Sequence, residues 1–250
     1  MIGPRILVPY HLDEHLPGIE APLTPDATVV AELPPGDAWQ RMAVLYEQVA
    51  TTVADAVRLG GSPAVVSGDC MTSLGTVRGL QRAGLEPAIV WFDAHGDVQT
   101  LETTTSGYIG GLPLRILVGY RPELIATAIG LRPVAEDRVL LVDARDLDPP
   151  EVEYLARSAI RRCTVPDAAT ALPDGPLYLH VDVDVVDPGD LPGLQIPAPG
   201  GAPLATVAEA IRVVVATGRV AAFGVACTWH PGSGAAERVR PYLEAAIAGG

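Results

Sequence analysis

In AIVWFDAHGDVQT, Asp93, His95 and Asp97 follow an apolar run at intervals of two residues, and in PLYLHVDVDVVDP Asp182 and Asp184 do the same. Extended backbone turns alternate side chains to one side, so each run predicts a strand delivering its ligand-type groups together at its carboxyl end. Anionic and imidazole groups gathered at neighbouring strand ends repel and desolvate one another unless cations neutralise them, so the pattern predicts a metal site. A lone Asp-x-Asp at a strand end is more often a turn cap or a surface pair; two such clusters behind two buried strands shift the balance toward metal. A third segment, VVSGDCMTSLG, reads as strand, Gly-Asp turn and helix, with Cys70 at the turn. An isolated cysteine is ordinarily an inert buried thiol. At this strand's carboxyl end a thiolate ligand is the sharper reading.

The elements that must hold these groups are legible from periodicity. Short β-branched runs predict strands over residues 5–9, 64–67, 88–92, 138–143, 177–183 and 220–226. Apolar residues at three-and-four spacing predict helices over 39–59, 73–82, 151–161, 204–216 and 235–248. Strand and helix alternate, which predicts an α/β fold with a parallel sheet covered on both faces. Such sheets bind ligands in the crevice beyond the carboxyl ends of their strands, where all three motifs fall. Pro and Gly gather at residues 16–37, 103–113, 187–203 and the last few positions. None divides the chain into two self-sufficient halves, so residues 1–250 are expected to form a single domain with long functional loops.

Composition removes whole classes of chemistry. The chain of 250 residues carries 17 basic and 30 acidic side chains, a net charge of −13, and every basic one is Arg; there is no Lys and no Asn. Phosphate-loop NTPase, pyridoxal, Schiff-base and protein-kinase chemistry all need a Lys or Asn at a fixed place. The acidity argues against a nucleic-acid partner, which would want a basic stripe. No apolar run reaches the ~20 residues of a membrane helix, so no membrane partner is expected. The start, MIGPRILVPYHLDEH, does not read as a secretion signal, so a cytoplasmic location is expected. Three cysteines, Cys70, Cys163 and Cys227, are poor material for a disulfide framework.

SGDC, WFDAHGD and HVDVDVVDP occur in the order, spacing and strand context of the arginase and agmatinase ureohydrolases, which have GGDH, DAHxD and DxDxxDP at these places. TTTSGYIGGLP resembles that family's substrate loop and ARDLDPPE its GLRDVDPGE segment. The resemblance implies a three-layer α/β/α sandwich on a mainly parallel sheet, and a pair of divalent ions, Mn²⁺ by the family's habit. It implies that Asp93 and Asp182 bridge them, that Cys70 and Asp97 complete one ion's shell, and that His95 and Asp184 complete the other's. Two such ions lower the pKa of water so that it attacks a trigonal carbon near neutrality, releasing urea and an amine from a guanidino substrate; Asp97 would hold or accept the proton of that water. Ser106 and Asp148 match positions holding the α-carboxylate and α-amino groups of amino-acid substrates, with Gln99 replacing the usual Asn. A homo-oligomer, trimer or hexamer, is the family's habit.

The departures are informative. The first ligand is ordinarily His and is Cys70 here, and a thiolate moves preference from Mn²⁺ toward Zn²⁺, Fe²⁺ or Co²⁺. A Cys at this position resembles a small branch acting on Nω-hydroxy-L-arginine. The family's proton-shuttling His aligns with Gly110, and the Glu that pairs with the guanidinium aligns with Thr228. Losing that charge-assisted hydrogen bond costs arginine roughly 1.5–3 kcal/mol, which favours a less basic head. His180, two residues before Asp182, points by strand periodicity beneath the metals; His230 is a candidate for the missing acid, and His11 could reach the crevice from the first strand's end. A satisfied structural His is the commoner reading of each. The expected activity is therefore hydrolysis of a C–N bond in an arginine-like guanidino compound. The rivals are a catalytically silent relative that binds metal or a ligand, and a one-metal deacetylase of similar fold, against which the intact DAHGD and DVD carboxylates speak.

Overall fold

The computed structural model describes residues 2–248; Met1 and residues 249–250, the end of the Gly-rich tail, lie outside. In chain order the strands are β1 (Arg5–Val8), β2 (Tyr10–His11), β3 (Glu14–His15), β4 (Ala27–Thr28), β5 (Ala64–Ser67), β6 (Ala88–Asp93), β7 (Val139–Asp143), β8 (Arg161–Cys163), β9 (Leu177–Asp182) and β10 (Val220–Ala226). The helices are α1 (Ala38–Arg58), α2 (Ser73–Arg82), α3 (Pro113–Leu117), α4 (Ala126–Ile129), α5 (Pro149–Arg157), α6 (Leu204–Ala216) and α7 (Ala235–Ala248). Among the described residues, eight strands form one sheet in the order β4-β1-β5-β10-β9-β6-β7-β8, and its pairings are parallel. β2 and β3 form a small antiparallel hairpin.

The strands are apolar on both faces because both are covered. Ile6 and Val8, Ile89 and Trp91, Val139 and Leu141 turn to the side packed by α1 and α2. Val90 and Phe92, Leu179 and Val181, Phe223 and Val225 turn to the side packed by α6 and α7. This is the expected three-layer sandwich. Register then sets the site: Ala226 pairs with both Ser67 and Asp182, and Phe92 with Val181, so β5, β10, β9 and β6 end level with one another.

Besides the short hairpin β2–β3 and the short helices α3 and α4, which no expected element covers, the two sheet edges differ from the sequence reading. The helix expected over 151–161 stops at Arg157, and Arg161–Cys163 is an edge strand. The three-and-four apolar pattern runs out after Leu155, and exposed Arg161 and Arg162 are the charges an open sheet edge carries. Ala27–Thr28, the opposite edge, is two residues long inside a Pro-rich stretch and offers no period to read. Among the described residues no helix is long and apolar enough to cross a membrane.

Candidate metal centre

Asp93 and Asp182 are the last residues of β6 and β9, and each folds the following turn onto its own carboxylate. Asp93 Oδ1 accepts the His95 amide at 2.7 Å and Oδ2 accepts Trp91 Nε1 at 3.0 Å. Asp182 Oδ1 accepts the Asp184 amide at 3.0 Å and the Thr228 hydroxyl at 2.6 Å. Asp184 Oδ1 accepts the Ala94 amide at 3.2 Å, which ties the two turns together. The ligand-type groups thus converge through turns rather than by strand alternation: Asp184 sits in a 3₁₀ turn over Val183–Val185, and Asp97 has a left-handed backbone with φ 54°.

The third contributor is the turn after β5. Gly68 donates its amide to Tyr10 O at 2.9 Å, and a Cβ there would stand 2.6 Å from that oxygen, so only glycine allows the approach. Buried Asp69 accepts the Leu12 amide at 2.6 Å and the Thr72 amide at 3.1 Å. Cys70 Sγ then lies 3.0 Å from Asp182 Oδ2 and 3.2 Å from His180 Nε2. His180 is buried beneath, stacked on Trp91 with centroids 3.8 Å apart, and its Nδ1 is 3.1 Å from Ser73 Oγ.

The electrostatics are those of crowded anions. Burial, then Asp93 and Asp182, push the Asp97 carboxyl well above the usual range. Burial and then Asp184 raise Asp182 to about 7, and burial and then Asp93 raise Asp184 to about 6. Burial and then Asp182 hold the Cys70 thiol well above its ordinary value. Burial alone would lower His95, but its hydrogen bonds to Asp184 and Asp93 push it up to about 12. Burial drops His180 to about 3, so it is neutral.

Two donor sets emerge, each with its ligand atoms within 4.8 Å of one another: Cys70, Asp93 and Asp97, and Asp93, His95 and Asp184. Asp93 belongs to both. Buried Asp97 Oδ2 has no hydrogen-bond partner. A buried carboxylate oxygen without a donor is costly, and a cation is the partner this donor set suits. Sulfur, imidazole and carboxylate donors together fit divalent transition metals.

These groups form the floor of a cavity of about 220 Å³. Gln99, Ser106, Tyr108, Gly110, Asp148 and Thr228 also line it. Ser106 and Asp148 lie on the exposed rim. Gln99 is clamped, its Nε2 donating to Asp148 Oδ2 at 2.7 Å and its Oε1 accepting from Thr103 at 2.7 Å. His11 stands behind Tyr108, with Nε2 3.1 Å from the phenol oxygen. His230 is exposed and is not among the lining residues. Three contributors escaped sequence reasoning: Tyr108, Asp69 and Glu151. Glu151 is buried, lines the cavity and accepts the Val98 and Asp148 amides at 3.2 and 3.1 Å. The Asp-Pro-Pro-Glu spacing, a helix-capping pattern, was the available signal for Glu151.

The sequence matches the family model described as Arginase family over residues 19–228. It is 34% identical over 171 residues to an arginase of Brevibacillus brevis, covering 62% of this chain and 57% of that protein. It is 30% identical over 188 residues to an N(omega)-hydroxy-L-arginine amidinohydrolase of Streptomyces lavendulae, covering 73% of this chain and 64% of that protein. The chain thus spans less than two thirds of these relatives' own length. In three dimensions it superposes on an arginase of Bacillus caldovelox with a TM-score of 0.83 at 23% identity, covering 98% of this chain and 97% of the other.

Proposed function

The chain belongs to the arginase family, and from that premise we propose that it is a dimetal amidinohydrolase acting on an arginine-like guanidino compound with a weakly basic head, Nω-hydroxy-L-arginine being the leading candidate. The observation that carries this is the pair of donor sets sharing Asp93 on the cavity floor. Cys70 and Asp97 would join Asp93 in holding one ion, and His95 and Asp184 would join it in holding the other; Asp182, outside both compact sets but with its Oδ2 3.0 Å from Cys70 Sγ, would be a further ligand. Two divalent cations supply Lewis acidity when bound, lowering the pKa of water so that a nucleophile is available near neutrality. Mn²⁺ is the first choice, with Cys70 moving preference toward Zn²⁺, Fe²⁺ or Co²⁺.

The chain's own residues do the rest. Asp97, with its unpartnered Oδ2, takes the proton of the attacking water. Water adds oxygen to the guanidino carbon, the bond from that carbon to the side-chain nitrogen breaks, and the nitrogen leaves with a proton. Nω-hydroxy-L-arginine would give ornithine and hydroxyurea. Ser106 and Asp148 at the rim, with Gln99 clamped against Asp148, suit an α-amino acid tail. His180, 3.2 Å from Cys70, orients that ligand from beneath. Residues 1–250 are read as one domain, since both helical layers pack on one sheet.

Metal analysis of the purified protein, followed by urea and hydroxyurea detection over arginine, Nω-hydroxyarginine, agmatine and guanidino acids, tests the reading. Turnover of any one supports it. Gly110 and Thr228 in place of the family's His and Glu favour one rival, a silent relative, which would show tight metal and no product from the whole panel.

A further inference from the structure

A Cβ built on Gly110 would stand 2.1 Å from Tyr108 Cζ, 2.2 Å from its hydroxyl oxygen and 2.4 Å from Cε1. The Tyr108 ring therefore occupies the volume that any side chain at position 110 would take, and both residues line the cavity. Its partner fixes its polarity. The rings of Tyr108 and His11 stack, with centroids 5.8 Å apart and planes at 13°, and His11 Nε2 is 3.1 Å from the phenol oxygen. The other imidazole nitrogen, Nδ1, is 3.1 Å from Gly68 O. A carbonyl only accepts, so in the neutral ring Nδ1 carries the hydrogen and Nε2 is bare. With the ring neutral, the single phenol hydrogen is committed to His11, and the oxygen presents only lone pairs to the cavity.

The arrangement is held from several sides. The Leu12 amide is bonded to Asp69 and the Gly68 amide to Tyr10 O, which locks His11 over the β5 turn. The Tyr108 amide donates to Ser106 Oγ at 3.2 Å. Burial, then Asp69 and the neighbouring ligand-type acids, push the phenol far above its ordinary value, so it stays neutral. The Thr228 hydroxyl hydrogen is likewise committed, to Asp182 at 2.6 Å. Tyr108 and Thr228 thus offer a ligand's head uncharged acceptors beside the carboxylates that line the same cavity.

We propose that Tyr108, oriented by His11, is a specificity-determining residue: it accepts a hydrogen bond from the N–H or N–OH of the substrate's head and favours a head that arrives uncharged over a guanidinium. The assignment rests on the guanidino-hydrolase reading. A neutral acceptor satisfies a donor without compensating a positive charge, so it discriminates where a carboxylate would not.

The decisive experiment measures KM and kcat of the Mn²⁺-loaded protein for arginine and Nω-hydroxyarginine in wild type, Tyr108→Phe, His11→Phe and His11→Gln. Tyr108→Phe should raise KM for the hydroxylated compound about tenfold, the loss of one hydrogen bond with its partner left unpaired, and leave that for arginine within twofold. His11→Phe, which frees the phenol hydrogen to turn into the cavity, should erode the same preference. His11→Gln, whose amide can bond both Gly68 O and the phenol, should retain it. Equal KM changes for both compounds, or none, in Tyr108→Phe would overturn the assignment. Wild type that turns over neither compound defeats the hydrolase reading instead, and titration calorimetry of the two compounds on the same variants then decides the Tyr108 question without turnover. Independently, Gly110→Ala should lower the melting temperature, and less so in a Tyr108→Ala background; equal losses in both backgrounds would mean the ring is not where this inference needs it.

Discussion

On the floor of the cavity every ligand-type side chain lies within four residues of the end of β5, β6 or β9, and all but Asp97 are held by amides, acids or neighbouring side chains of the same cluster. The wall is built differently. Gln99, Ser106 and Tyr108 come from the long loop between β6 and α3, and they are held by other loop and helix-start groups: Gln99 by Asp148 and Thr103, Ser106 by the Tyr108 amide, and Tyr108 by His11. The floor keeps the ligand types of the family motifs with one substitution, Cys70, whereas the wall has Thr228 where the family has a Glu and no side chain at Gly110, although Asp148 and Glu151 also line the cavity. Groups anchored by strand ends are costly to move, and groups on loops are free to change. Under the proposed function, reaction type would reside in the floor and substrate choice in the wall.

The hardest blow to that division would come from the bridge. Asp93→Ala should cost both ions and reduce turnover more than the 10–100-fold typical of a lost outer partner of a metal ligand; metal analysis showing two ions per chain would break the comparison. Cys70→His should leave folding intact and move the Mn²⁺ to Zn²⁺ affinity ratio toward Mn²⁺, on the order of tenfold, read by competitive metal titration; an unchanged ratio and unchanged kinetics would remove Cys70 from the floor. Thr228→Glu should raise kcat/KM for arginine about tenfold through a charge-assisted hydrogen bond without altering metal content, and a loss of metal instead would show that wall and floor are not separable at this position.

The floor also has a pH signature that the wall lacks. Asp182 at about 7 and Asp184 at about 6 hold protons in the folded metal-free protein that an unfolded Asp, near 3.9, has released. The folded state binds more protons in that window, so the stability of the metal-free protein should fall as pH rises from about 4 to about 7. Cation uptake should release protons and tighten over the same range, measurable by calorimetry in buffers of different ionisation enthalpy; a pH-independent melting temperature would contradict it. Smallest of all, His230→Ala should leave kcat within about twofold, since His230 is exposed and lies outside the cavity lining; a tenfold loss would restore it as an acid.

The difference between floor and wall also decided what could be read from the sequence. Asp93, His95, Asp97, Asp182 and Asp184 were visible because ligand types follow apolar runs at fixed spacing, a local signal. The expected reason was extended alternation, while the turns at Asp93 and Asp182 and the left-handed Asp97 place them in fact. Tyr108 was invisible because its meaning lies in a residue ninety-seven positions away, His11, and in an absence at Gly110. The helix expected over 151–161 overran into the first residue of the edge strand Arg161–Cys163 because the apolar periodicity ends at Leu155. Strands with two covered faces announce themselves; edges and loop contacts depend on partners the local sequence does not name.

The turn after β5 serves two masters. Through Gly68 it grips the segment bearing His11, and two residues later it presents Cys70. Any lineage that exchanges the sulfur for a bulkier imidazole shifts a hinge on which the substrate wall also hangs, so changes of metal preference and of substrate preference in this protein should be inherited together, with compensating substitutions gathering near residues 10–12.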